Sequence, residues 1–182
     1  MPGTTIGINM NYGFPGQASR HGDEVSRTRP VKASTDNIKF GAPVVQNSDG
    51  TVQLFGASNV AADFCGIAMR KVKSAMVYPY QNFGYYEPGQ PCDILQRGGI
   101  TSVCAWGTPA VGTPVYVRVG VTDGTSPAGA AIGDLGAAPE VIEGEGGAED
   151  TVNTVELTGV VWSSAADARN CAELTIKTRQ GV

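Results

Sequence analysis

Three neighbouring stretches decide the fold: FCGIAMR at 64–70, YEPGQPCDILQRGGITSVCAW at 86–106 and VGTPVYVRV at 111–119. Their apolar runs are about four to eight residues long, the length of a strand, and they end at Pro-Gly or Gly-Gly breaks suited to turns. In VGTPVYVRV the alternation is strict. Val115, Val117 and Val119 fall on one face, and Tyr116 and Arg118 on the other. In PCDILQR, Cys92 and Ile94 point one way and Asp93 and Leu95 the other, so both faces of that strand are expected to be covered. Gly98-Gly99 reads as a hairpin turn joining PCDILQR to GITSVCAW. No helix of ordinary length is visible, and no internal repeat. The pattern predicts a single all-β core, a barrel or a sandwich.

The flanks extend the same reading. IKFGAPVVQ (38–46) and TVQLF (51–55) enclose NSDG, whose Asp49-Gly50 is a hairpin signal. Ala61-Ala62-Asp63 tolerate a short helical turn before FCGIAMR. VELTGVVWS (155–163) and AELTIKT (172–178) read as two closing strands separated by SAADARN. Trp106 and Trp162 stand at strand ends, where core tryptophans sit. The domain is thus expected over 33–182. It is preceded by an extended arm over 1–32 that is rich in Gly and Pro and lacks helical or strand periodicity. A Gly/Ala/Glu-rich acidic insertion is expected over 122–150.

Composition narrows the function. Gly (25) and Pro (11) make up about a fifth of 182 residues, and charged residues only 16%. Average soluble domains carry roughly 25% charge, so a low-charge, turn-rich chain suggests surface hidden against neighbours. Nine of the 17 acidic residues lie between Val119 and Ala168, where there is no Lys or Arg; elsewhere 13 basic residues face eight acidic ones. The two regions are therefore expected to face different sides of an assembly. No dense Lys/Arg cluster with interleaved aromatics appears, so direct nucleic-acid binding is not expected. No apolar run is long enough for a membrane span, and MPGTTIGINMNYG lacks the pattern of a secretory signal. The chain is then expected to mature in a reducing cytosol, with Cys65, Cys92, Cys104 and Cys171 as buried free thiols.

Catalysis finds no constellation. His21, the only histidine, lies in the polar arm, and no C-x-x-C, G-x-S-x-G or EF-hand spacing occurs. Gly144-Glu145-Gly146-Gly147 lacks the strand-to-helix context of a phosphate loop. No enzyme activity, cofactor or metal is expected.

The pieces also resemble a known family. GFPGQAS (13–19), IKFGAPVV (38–45), FCGIAMR (64–70), YEPGQPCDILQRGGITSV (86–103), VGTPVYVRV (111–119) and VVWSSAADARNCAELTI (160–176) stand in the order seen in the structural cement, or capsid decoration, proteins of tailed phages. The joint patterns FG-x-P-V-V, F-x-G-I-A-x-R and Y-x-P-G-x-x-x-x-I-L carry the likeness. The resemblance implies an all-β virion protein without catalysis that binds the outer surface of the head and locks neighbouring capsomers. Its partners would be the major capsid protein and sister copies, as dimer or trimer.

Candidate contact residues follow from the chemistry of interfaces. Tyr12 and Phe14 are apolar anchors on the arm, and Tyr78, Tyr80, Phe83, Tyr85 and Tyr86 form the densest aromatic patch. Tyrosine buries a large area and keeps a polar tip, which suits an interface. Arg20, Arg27, Arg29 and Lys32 are expected to meet acidic shell surface, with the acidic insertion turned away from it. A second class of function is a free-standing β-sandwich module for glycans or a host surface, with Trp106, Trp162 and the tyrosines stacking on sugars.

Overall fold

The computed structural model describes residues 13–70, 84–122, 126, 128–142 and 151–180. They form thirteen strands: β1 (Ala18–Pro30), β2 (Ile38–Lys39), β3 (Pro43–Gln46), β4 (Val52–Leu54), β5 (Phe64–Ala68), β6 (Tyr85–Tyr86), β7 (Pro91–Trp106), β8 (Pro114–Arg118), β9 (Leu135–Gly136), β10 (Val141–Ile142), β11 (Thr151–Val152), β12 (Thr154–Trp162) and β13 (Cys171–Ile176). One 3-10 turn, Ala61–Asp63, sits where a short helical turn was predicted.

Nine strands share one sheet, and part of it closes on itself. Pairing runs β13–β12–β8–β9–β7, and β13 returns to β7 through Cys171↔Val103 to Ile176↔Gly98. These strands make a small barrel. From the first half of β7 the sheet continues outward through β5, β3 and β4. The predicted turn at Asp49-Gly50 closes the β3–β4 hairpin, with Asn47 N–H donating to the Thr51 carbonyl and Asp49 Oδ1 accepting from Thr51 N–H. The predicted closing strands β12 and β13 pair antiparallel, Val160↔Ile176 to Trp162↔Leu174.

Gly98-Gly99 is not a hairpin turn. β7 runs unbroken through both glycines, paired at Gly99 with Arg20 of β1 and with Thr175 of β13. The glycines bend the strand instead of reversing it. Gly98 has φ +121°, and a Cβ there would lie 2.8 Å from the Asp23 carbonyl oxygen. The bend is the barrel's corner: before it β7 pairs with β5, after it with β13.

The same sheet separates two cores. Val45, Phe64, Ile67 and Leu95 face the barrel interior with Ile100, Val115, Val117, Leu157, Trp162 and Leu174. On the other face Val44, Val52, Cys65, Ala68, Cys92 and Ile94 are covered by Val31, Ile38 and Tyr86. This is why every residue of β5 is buried, and why the apolar run FCGIA shows no alternation. The two covered faces expected for PCDILQR are present, with Cys92 and Ile94 in the smaller core and Leu95 in the larger.

Two stretches read as peripheral contribute strands. Residues 18–30 of the expected arm form β1, which runs antiparallel along β7 from Ala18↔Ile100 to Pro30↔Pro91. The residues around 20–25 bulge out of register. Within the acidic insertion, Leu135–Gly136 forms β9, which completes the barrel between β7 and β8. Val141–Ile142 then pairs with Thr151–Val152. Backbone pairing needs no side-chain pattern, so neither strand shows in the periodicity.

Candidate functional site

The β1–β7 ribbon carries Asp23, Glu24, Arg27 and Thr28 exposed along β1. Its alternation places Arg27 and Arg29 on the side of Val31, at the rim of the smaller core, opposite Ile94 and Cys92. Arg27 is exposed and Arg29 half-buried beside Gly50. Neither guanidinium has an ion pair within the described residues. Thr28 donates to Asp93 across the ribbon, and Arg97 pairs with Asp23 at 3.0 Å in the open. Such an exposed pair contributes little stability. Lys32, half-buried, ends the ribbon, its backbone N–H bonded to the Val52 carbonyl. Arg20 lies in the bulged part of β1, its backbone opposite Gly99.

The predicted aromatic anchors divide. Phe14 is 51% exposed on a turn closed by Gln17 N–H to Phe14 O, and Arg70 stacks on its ring at 4.6 Å. Tyr85 is half-buried on β6. Tyr86 is interior. Its hydroxyl donates to the Met69 carbonyl at 2.6 Å, and its ring meets Phe40 edge-on at 5.1 Å. A buried phenol with a satisfied hydroxyl holds the smaller core and is not offered to a partner. Tyr12, Tyr78, Tyr80 and Phe83 lie outside the described residues.

Sequence reasoning missed a buried ionic cluster. Arg118 shares a face with the partly exposed Tyr116 as predicted, but at Arg118 that face is covered, and its side chain is 2% exposed. Its Nε and Nη2 donate to the two Glu140 carboxylate oxygens at 3.0 Å each, a bidentate pair. Asp134 lies 3.6 Å from its Nη1, and the guanidinium stacks on Trp106 at 4.2 Å. Trp106 Nε1 donates to the Ala138 carbonyl at 2.7 Å and Trp162 Nε1 to that of Gly136 at 3.0 Å. One arginine and two indoles therefore clamp residues 134–140. The available signal was that Arg118 is the last base before a long stretch with none.

Nothing in the described residues resembles a reaction centre. No group of three or more His, Cys, Asp or Glu side chains converges there. All four cysteines are buried and free. Burial disfavours the thiolate and raises each thiol, Cys104 to about 11 and Cys92 further. Such thiols are poor nucleophiles at neutral pH.

A family model described as "Structural cement protein (E217 gp24/Pam3 gp6)" matches residues 2–177. The chain belongs to the structural cement protein family. This bears out the resemblance read from the sequence motifs. A solved chain from "The capsid of Myoviridae Phage XM1" has the same fold, with a TM-score of 0.65 at 16% identity over 98% of this chain and 99% of that one. No curated protein matches the chain. As a cement protein it is a structural component of the phage virion, from a family that is in general non-enzymatic. Its body is the all-β core described above, and no helix among the described residues is long and apolar enough to cross a membrane.

Proposed function

We propose that this cement protein binds the outer surface of the phage head and ties neighbouring capsomers together, with sister copies sharing the contacts. The observation that carries this reading is the family match over residues 2–177, which takes in β1 and the barrel alike. The charge distribution supports an orientation. Among the described residues Arg27, exposed, and Arg29, half-buried, have no ion pair, whereas Asp134 and Glu140 are neutralised internally by Arg118. The ribbon and the turn at residues 14–17 before it face the shell, with Phe14 and the half-buried Tyr85 as aromatic anchors. Many modest contacts repeated over a shell add by avidity. The glycan-binding alternative loses its tryptophans, since Trp162 is fully buried and Arg118 covers the ring of Trp106.

The test is co-sedimentation of the purified chain with heads lacking it, beside an insoluble polysaccharide. Saturable binding to heads alone is expected. Binding to polysaccharide and not to heads would overturn the proposal.

A further inference from the structure

One groove on the body is apolar, open and unassigned. It measures about 1010 Å³ and lies between β2, β4, β7 and the 130–135 segment. Phe40, Leu54, Val103, Val121, Ile132 and Leu135 supply its apolar lining. Val103, Val121 and Ile132 are 40%, 44% and 38% exposed, so three of the eight large hydrophobic side chains that stand exposed among the described residues line this single groove. Such a concentration marks a binding surface more than scattered apolar exposure does. Lys39, Asp36 and Asp134 are the charged residues of its lining.

The chain itself supplies a matching segment. Residues 1–12, MPGTTIGINMNY, contain no charged side chain, and Ile6, Ile8, Met10 and Tyr12 alternate with Gly7, Asn9 and Asn11. Over these seven positions, though not over the arm as a whole, that is the period of an extended segment with one apolar edge. Where this segment joins the body is fixed. A Cβ on Gly16 would lie 2.9 Å from the Phe40 Cβ, and one on Gly41 would lie 3.2 Å from the Pro15 ring, so the chain is anchored at the groove's rim. The Phe14 ring, on the turn that follows, is stacked by Arg70, which does not line the groove. Fully extended, twelve residues reach about 40 Å, enough for a neighbouring copy.

We infer that the groove receives residues 6–12 of a second copy of this chain, with Ile6, Ile8, Met10 and Tyr12 seated on the Val103–Val121–Ile132 surface. Each copy thereby both offers a segment and holds one, a head-to-tail contact that links copies in series. This goes beyond the capsid reading and does not require it, because the contact lies wholly between copies.

The test uses two full-length variants with one added cysteine each, Ile8→Cys and Val103→Cys, mixed under mild oxidation in concentrated solution and on heads. Only bonds between copies can join that pair, and the four native thiols are buried. An Ile8→Cys/Val111→Cys mixture is the control, since Val111 is 81% exposed and away from the groove. Expected is a disulfide-linked pair forming about tenfold faster than the control, the mark of a raised effective concentration. Cross-linking at the control rate in both settings would overturn the inference. So would a doubly substituted chain that closes on itself while the mixture stays unlinked, which would place the segment in its own groove. Head occupancy is read separately by sedimentation, so full occupancy without cross-linking would overturn this inference and leave the capsid reading standing.

Discussion

β1 and the 134–140 segment both join the body without any periodic signal, and they do so by opposite physics. β1 is held by a backbone ladder along β7, with Asp23, Glu24, Arg27 and Thr28 exposed and a solvent-facing ion pair, Arg97–Asp23. The 134–140 segment offers only two residues, Leu135 and Gly136, to strand pairing. It is fixed instead by Arg118, by two indole N–H groups and by a backbone that passes directly under the Trp106 ring. A segment held by backbone can leave some side chains outside the packing, as β1 leaves Arg27 exposed. Segments held by side chains have spent theirs on the fold. On this basis, substitutions at the 134–140 clamp should cost stability, and substitutions on β1 should cost binding.

The sharpest way to break the contrast is at the clamp. Trp162 is fully buried and bonded to the Gly136 carbonyl. Trp162→Ala should destabilise the chain by about 3–5 kcal/mol, read from urea unfolding midpoints. Arg118→Met should follow at about 3 kcal/mol, because Glu140 would keep a largely buried charge without its partner. The double variant Arg118→Met/Glu140→Gln should recover part of that loss, which a purely steric role for Arg118 would not allow. Gly136→Ala comes next, at about 1–3 kcal/mol. Its added methyl would lie 2.1 Å from the Trp106 indole, and the ring would have to shift, straining its bond to the Ala138 carbonyl.

A smaller effect is set by pH. Cys104 sits in β7 opposite Leu135, and burial raises its thiol from 9.0 to about 11. The folded chain then holds a proton that the unfolded chain releases, so this contribution is present in full below pH 9 and is lost as pH rises through 11. Cys104→Ala should flatten part of the alkaline decline in stability, and the remainder should come chiefly from Cys92, which is raised further. An unchanged alkaline profile would place the Cys104 thiol in contact with solvent.

On β1 the smallest stability change is expected. Arg27→Ser with Arg29→Ser should move unfolding by about 0.5 kcal/mol or less. Head occupancy of the same variant should fall, and the remaining binding should depend less on salt than that of the native chain. A large loss of stability from this pair, with occupancy intact, would reverse the contrast.

Much of this could be read in the sequence, and the failures have one cause. The strict alternation of Val115 and Val117 gave β8, Asp49-Gly50 gave a hairpin, and the double-faced PCDILQR gave a strand between two cores. Gly98-Gly99 misled, because a glycine pair that bends a strand at a barrel corner has the same composition as one that reverses it. Only the partner strands on either side distinguish the two. β1 and β9 were invisible for a related reason: their partners are far away in sequence. Tyr86 shows the limit at the candidate contact surface. Composition places it with Tyr85 in one aromatic patch, but strand alternation turns Tyr86 inward, where its hydroxyl finds the Met69 carbonyl. Arg118 shows the converse, a charge that alternation sends outward and a distant segment then buries.

The central claim is that the protein lies on the head exterior and spans capsomer boundaries through its β1 side. Electron cryomicroscopy of heads carrying the chain tests this most directly. The account expects density on the outer surface, bridging adjacent capsomers, with the β1–β7 ribbon against the shell and the 134–140 clamp away from it. Density confined to one capsomer, or the clamp against the shell and the ribbon in solvent, would contradict it.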